Sequence, residues 1–264
     1  MKIGVFDSGL GGLAIARAIM ARLPQYDYIY LGDTKRVPYG NRSQAAIHQF
    51  VGEALDFLFA RDCQLVILAC NTASAEALRH SQQHYLPTKY PDRRVLGVLI
   101  PVSEAAVESG SAKKIGVLAT PSTVESGSYE RVLKELSPGV EVVSRAAPLL
   151  VPLVENDSLK YAPQILSDYL EPMTSGDLDS LILGCTHYCL LKDLVRSMVD
   201  CAVVSPDEVV PEKLAEYLRR HPEIESRLAK TGERQYLVTD LPPGYNEFVV
   251  RLTGEQTPLE QVVL

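Results

Sequence analysis

Short apolar runs alternate with amphipathic stretches from the first residues of the chain to about Leu218. The apolar runs predict strands at Ile3–Phe6, Tyr28–Leu31, Leu65–Ala69, Val95–Val98, Ile115–Ala119, Glu141–Ser144, Leu181–Leu183 and Ala202–Val204. Between most of them the apolar positions recur at helical spacing, predicting helices over Leu13–Arg22, Ser43–Ala60, Ala73–Tyr85, Thr123–Leu136 and Leu190–Val199. Strands and helices alternating at this spacing call for parallel sheets with helices on both faces. The expected fold class is α/β.

A weak repeat lies inside the pattern. KIGVFDSG, beginning at Lys2, resembles KIGVLATP, beginning at Lys114; at nearly the same spacing, LVILACNT ends its apolar run at Cys70 and LILGCTHY ends its run at Cys185. Two related α/β lobes with a cleft between them are therefore expected, residues 1–95 plus 207–264 forming the first and 96–206 the second. No residue pattern marks the return of the chain to the first lobe. Ligands of open parallel sheets bind beyond the carboxyl ends of the strands. That rule puts Asp7, Ser8 and Cys70 at the ligand edge of one lobe and Thr120 and Cys185 at the matching edge of the other.

Composition narrows the function classes. The chain has 264 residues, 46% of them hydrophobic and 22% charged, which is the balance of an ordinary globular protein. Its longest apolar stretches are strand-sized, well short of the roughly 20 residues a membrane helix needs. KIGVF follows Met1 at once, without the basic and apolar regions of a signal peptide, so a cytoplasmic location is expected. A formal charge of −7 argues against a broad nucleic-acid-binding surface, which rests on clustered Lys and Arg. The five cysteines lack the paired spacing of a metal site, and in a reducing compartment they remain thiols. No lysine stands in a phosphate-cradling setting, so neither metal nor pyridoxal phosphate is expected.

Cys63 and Cys201 read as small core residues. Cys70 and Cys185 each end an apolar strand and precede polar residues that open a helix, where amides and a partial positive charge favour thiolate. Two such thiols at matching places in related lobes suit a racemase, which removes a proton from one face of a stereocentre and returns one to the other. Both must approach the central carbon within roughly 3–3.5 Å, which holds them apart and excludes a disulfide. Asp7 is a candidate to assist Cys70, and His187 to assist Cys185. A histidine near a strand end is equally a structural hydrogen-bonder, and spacing alone leaves both readings open. His48, His80, His84 and His221 receive no role.

Two further segments have bland readings beside functional ones. Gly9, Gly11 and Ala14 formally satisfy the dinucleotide fingerprint, with Asp33 following, but Asp7 stands where a pyrophosphate would have to sit. Glycines that permit close helix packing explain the segment as well. VPYGNRS, from Val37 to Ser43, reads as a turn begun by Pro38 and leading to a helix capped by Ser43. It needs no ligand, yet the Tyr39 and Gly40 amides are candidates to hold a carboxylate.

DSGLGG, PYG, CNTAS and GCTHY together resemble the glutamate racemases of the aspartate/glutamate racemase family, and the resemblance runs through nearly the whole chain, including LVPLVEN and the TPST segment. It implies a cofactor-free, two-base interconversion of L- and D-glutamate that supplies D-glutamate for peptidoglycan. Cys70 would be the base for D-glutamate and Cys185 for L-glutamate, with Asp7 and His187 assisting and Glu155 orienting His187. By the same analogy Asp7, Ser8 and Thr186 surround the amino group. Asn71, Thr72, Thr120 and Thr123 take the α-carboxylate, while the turn of Pro38, Tyr39 and Gly40, with the Thr186 side, reaches the other carboxylate. The resemblance also implies a homodimer. The chain departs from the family pattern at Cys189, usually proline, and at Ala147, often cysteine.

Two other classes remain open from the residues. A cysteine hydrolase or transferase would use Cys185 with His187 but leave Cys70 idle. A non-catalytic amino-acid receptor would also place two α/β lobes around a cleft, and the missing signal peptide counts against it.

Overall fold

The computed structural model describes residues 1–108, 112–174, 177–253, 256 and 258–264, with the side chains of 248 and 251–253 outside the description. All its strand pairs are parallel. The first sheet has the order β10-β9-β2-β1-β3-β4, from β1 (Lys2–Asp7), β2 (Tyr28–Gly32), β3 (Cys63–Leu68), β4 (Arg94–Gly97), β9 (Arg234–Val238) and β10 (Glu260–Gln261). The second has the order β6-β5-β7-β8, from β5 (Lys114–Ala119), β6 (Glu141–Ala146), β7 (Ser180–Gly184) and β8 (Ala202–Val204). The run β2-β1-β3-β4 of one sheet has the same order as β6-β5-β7-β8 of the other, so the two strands of the repeat, β1 and β5, occupy equivalent places.

β1, β3 and β7 are almost wholly buried, as strands covered by helices on both faces must be. Ile3 and Val5 face one apolar cluster, which continues into the second sheet through Ile115, Val117 and Leu181; Phe6 faces another with Leu31, Val66 and Leu68. The boundary expected at residue 95 falls inside β4, whose four residues all pair with β3. The chain re-enters the first sheet through helix Pro206–Arg220, where Glu212 pairs with Arg22 of helix Leu13–Arg22, and then through β9, which runs beside β2 from Tyr28 opposite Arg234 to Gly32 opposite Val238. No helix among the described residues is long and apolar enough to cross a membrane.

Three predicted helices are divided. Thr123–Leu136 is two helices, Pro121–Glu125 and Ser128–Leu136, broken at Gly127, whose φ of 61° no helix can continue. Ala73–Tyr85 is helix Asn71–His80 followed by a π-helical turn, Ser81–Tyr85. In place of Leu190–Val199 there is a 3-10 turn, Thr186–Leu191, and one short helix, Lys192–Arg196. The fully buried Tyr188 donates its hydroxyl hydrogen to Ala147 O at 2.8 Å, which ties the tighter turn to the end of β6.

Candidate active site

Register brings the strand ends together. Phe6 pairs with Leu68, and Phe6 O accepts from Ala69 N at 2.8 Å, so Asp7 and Ser8 emerge beside Cys70. In the second sheet Ala119 pairs with Gly184, which sets Thr120 beside Cys185. The two edges face one narrow cavity of about 20 Å³. The first lobe lines it with Ser8, Val37, Pro38, Tyr39, Gly40, Cys70, Asn71 and Thr72; the second contributes Thr120, Val151, Cys185, Thr186 and His187. Asp7, Thr123 and Glu155 adjoin these residues, Thr123 through the hydroxyls of Thr72 and Thr120 and Glu155 through His187.

The two thiols have different neighbours. Cys70 caps helix Asn71–His80, its sulfur accepting from Ala73 N at 3.4 Å and its thiol donating to Ser8 Oγ at 3.3 Å. Burial, together with the nearby Asp7 carboxylate, nevertheless pushes this thiol up to about 12. Cys185 precedes the 3-10 turn and has no amide cap, contrary to the helix N-terminus expected there. Its neighbour is His187 instead, with Nδ1 3.9 Å from the sulfur and Nε2 3.0 Å from Glu155 Oε1. Burial lowers the His187 pKa, but the hydrogen bonds and charges of Cys185 and Glu155 win and raise it to about 10. Glu155, His187 and Cys185 thus form a contiguous line of polar groups.

Asp7 is fully buried. Its Oδ2 accepts from Gly9 N at 3.0 Å, while Oδ1 has no hydrogen-bond partner among the described residues. Burial raises its pKa, opposed by the charge of His187. Gly11, which mimicked part of a dinucleotide fingerprint, and its neighbour Gly12 serve close packing here. A Cβ on Gly12 would lie 2.4 Å from Asp7 Cβ, and one on Gly11 would lie 2.7 Å from Thr186 Oγ1 and 2.8 Å from His187 Nδ1.

Polar groups without charge line the rest. Thr72, Thr120 and Thr123 form a triangle of hydroxyls with sides of 2.9, 3.1 and 2.9 Å, joining the lobes. Asn71 Nδ2 is buried and has no partner among the described residues, which leaves a donor without an acceptor at the cavity wall. Tyr39 and Gly40 begin a 3-10 turn after the cis Val37–Pro38 bond, and a Cβ on Gly40 would meet Thr120 Cβ at 2.7 Å.

Sequence reasoning missed two residues here. Asp33 accepts from Tyr39 OH, from Arg36 Nε at 2.6 Å and from Thr239 Oγ1 at 2.9 Å, holding the Tyr39 loop to the end of β9. It directly follows β2, so the strand-end rule that found Asp7 also points to it. Tyr129, on helix Ser128–Leu136, donates to Asn71 Oδ1 at 2.6 Å, and no sequence signal marks it. Cys189, buried, does not line the cavity; Cys63 is core and Cys201 is partly exposed. No cluster of metal-ligating side chains occurs among the described residues.

The sequence profile of the Asp/Glu/Hydantoin racemase family matches residues 13–212. A glutamate racemase of Trichormus variabilis is 40% identical over 240 residues, covering 87% of this chain and 80% of the relative. Among solved structures, a glutamate racemase isoform of Bacillus anthracis superposes with a TM-score of 0.90 at 34% identity, covering 100% of this chain and 97% of that one. The Francisella tularensis glutamate racemase, solved in complex with D-glutamate, gives a TM-score of 0.88 at 30% identity, covering 99% and 97%.

Proposed function

The chain belongs to the glutamate racemases of the Asp/Glu/Hydantoin racemase family, and on that premise we propose that it interconverts L- and D-glutamate through two opposed cysteines, Cys70 and Cys185. One observation carries this reading. Cys70 and Cys185 follow β3 and β7, strands in equivalent places of two sheets, and both line the same cavity from different lobes.

From D-glutamate, the Cys70 thiolate takes the Cα proton and the electron pair passes into the α-carboxylate. The Cys185 thiol then delivers a proton to the opposite face, giving L-glutamate, a Cys70 thiol and a Cys185 thiolate. The reverse reaction exchanges the roles. Asp7 assists at Cys70, and His187, backed by Glu155, resets Cys185. A buried site suits this chemistry, because hydrogen bonds to the developing charge are stronger where water is excluded.

The substrate's α-carboxylate takes the Asn71 amide and the hydroxyls of Thr72, Thr120 and Thr123. Its ammonium sits by Asp7, Ser8 and Thr186, offsetting the negative field that holds Cys70 protonated. The side-chain carboxylate reaches the Tyr39 and Gly40 amides beyond Pro38, on the Thr186 side. The active form is a cytoplasmic homodimer, and its D-glutamate serves peptidoglycan synthesis.

The test is incubation of purified protein in heavy water with L- or D-glutamate, without added cofactor, following optical rotation and Cα deuterium. Racemisation with deuterium at Cα supports the reading. A covalent substrate adduct without Cα exchange supports a cysteine transferase instead. Lasting optical purity of both enantiomers contradicts catalysis.

A further inference from the structure

A primary amide has two ends of nearly equal shape, one accepting and one donating, so its hydrogen-bond neighbours decide which end faces a ligand. At Asn71 the carbonyl end is taken by a donor from the other lobe. Asn71 opens the helix after β3, whereas Tyr129 lies on helix Ser128–Leu136 of the second lobe. Tyr129 OH donates to Asn71 Oδ1 at 2.6 Å, and Nδ2, buried, is left without a partner at the cavity wall. The Tyr129 ring is itself buried against Gly184, where a Cβ would come 3.2 Å from Tyr129 Cε2. Burial pushes the phenol far above its ordinary range, so it keeps its proton at any working pH.

We propose that Tyr129 is a positioning residue for racemisation: by engaging Asn71 Oδ1 it holds the Asn71 NH2 group toward the substrate's α-carboxylate. Reversed, the amide would present its carbonyl oxygen to that carboxylate and repel it. Because the phenol belongs to the second lobe, the donor is aimed as the two lobes meet. The inference rests on the reading that Asn71 binds the α-carboxylate, and its test separates the two.

Steady-state kinetics with both enantiomers are measured for wild type, Tyr129→Phe, Asn71→Ala and the double variant, with a melting curve for each. Tyr129→Phe removes one oxygen and keeps the ring packed, so it folds. The expected result is a KM raised about ten-fold in Tyr129→Phe, the scale of one lost hydrogen bond to a charged group, with kcat changed less than about three-fold. Asn71→Ala raises KM at least as much. The double variant is no worse than Asn71→Ala alone, because Tyr129 then has nothing to aim. A purely structural role would instead give independent, additive losses, and that result overturns the proposal. So does an unchanged KM in Tyr129→Phe beside a raised KM in Asn71→Ala, which leaves Asn71's own role intact. An unchanged KM in Asn71→Ala overturns the carboxylate reading and the positioning role with it.

Discussion

His187 Nε2 lies 3.0 Å from Glu155 Oε1, a contact that joins the 3-10 turn after Cys185 to the end of helix Leu150–Glu155. The carboxylate holds the ring so that Nδ1 faces Cys185, which fixes the orientation of the histidine. Glu155 is partly exposed, so its carboxylate meets solvent at the far end of this line of contacts.

Removing the Glu155 charge should change how stability depends on pH. His187 is raised to about 10 in the folded chain from an ordinary 6.5, so its protonation stabilises the fold fully below about pH 6.5 and that contribution is lost as pH rises toward 10. In Glu155→Gln the folded pKa falls toward the ordinary value. Urea midpoints measured across this range should show the variant less stable than wild type near pH 6.5, with the gap closing toward pH 10. A gap independent of pH contradicts the pairing.

Gly11 touches the machinery of the second lobe from the first. An added Cβ would meet Thr186 Oγ1 at 2.7 Å, so Gly11→Ala must displace Thr186 and His187 or open the cleft. Because displacement of about 1 Å can cost about a hundred-fold in rate, kcat/KM should fall by that order while far-ultraviolet circular dichroism stays native. Gly52→Ala, at a site where a Cβ has ordinary contact with Tyr85 at 3.5 Å, is the control that should retain activity.

Asp33 is fully buried and holds three side chains at once, among them Tyr39 of the cavity wall and Arg36. Asp33→Ala removes three hydrogen bonds, while Arg36 keeps its ion pair with Glu53, and should destabilise the protein by about 1.5–3 kcal/mol in denaturant titration. Asp33→Asn, closer in shape, should keep the fold but loosen the Tyr39–Gly40 turn, raising KM for glutamate more than it lowers kcat. A Tyr39→Phe variant with the same KM rise would place the effect in the Tyr39 OH contact, and a wild-type KM in both would remove the loop from substrate binding.

Eight strands were legible in the sequence; most, such as β1, β3 and β7, are apolar runs in a buried layer, although β6 has no fully buried residue. β9 and β10 were not: Arg234–Val238 is exposed at its first residue and only partly buried over the next two, and Glu260–Gln261 is a two-residue edge with both residues exposed. Gly127 sits inside a continuous helical pattern, so its left-handed φ was hidden. Within the site, strand-end position found Cys70, Cys185, Asp7 and Thr120. Tyr129 escaped because its contact depends on how the lobes meet, and the amphipathic pattern of Ser128–Leu136 shows only that its ring is on a buried face.

The two-base account is tested most directly by washing deuterium from solvent into Cα of each glutamate enantiomer with Cys70→Ser and Cys185→Ser. A hydroxyl is a far weaker acid than a thiol, so net racemisation should collapse in both variants. Each variant keeps one base, however, and the two should differ: Cys185→Ser retains the better exchange from D-glutamate, and Cys70→Ser from L-glutamate. Substrates with a leaving group at Cβ should show the same preference by elimination, which needs one deprotonation and no opposite-face proton. Opposite preferences swap the assignment of the two thiols while keeping two bases. Full racemase activity in either variant, or equal residual exchange from both enantiomers, contradicts the account.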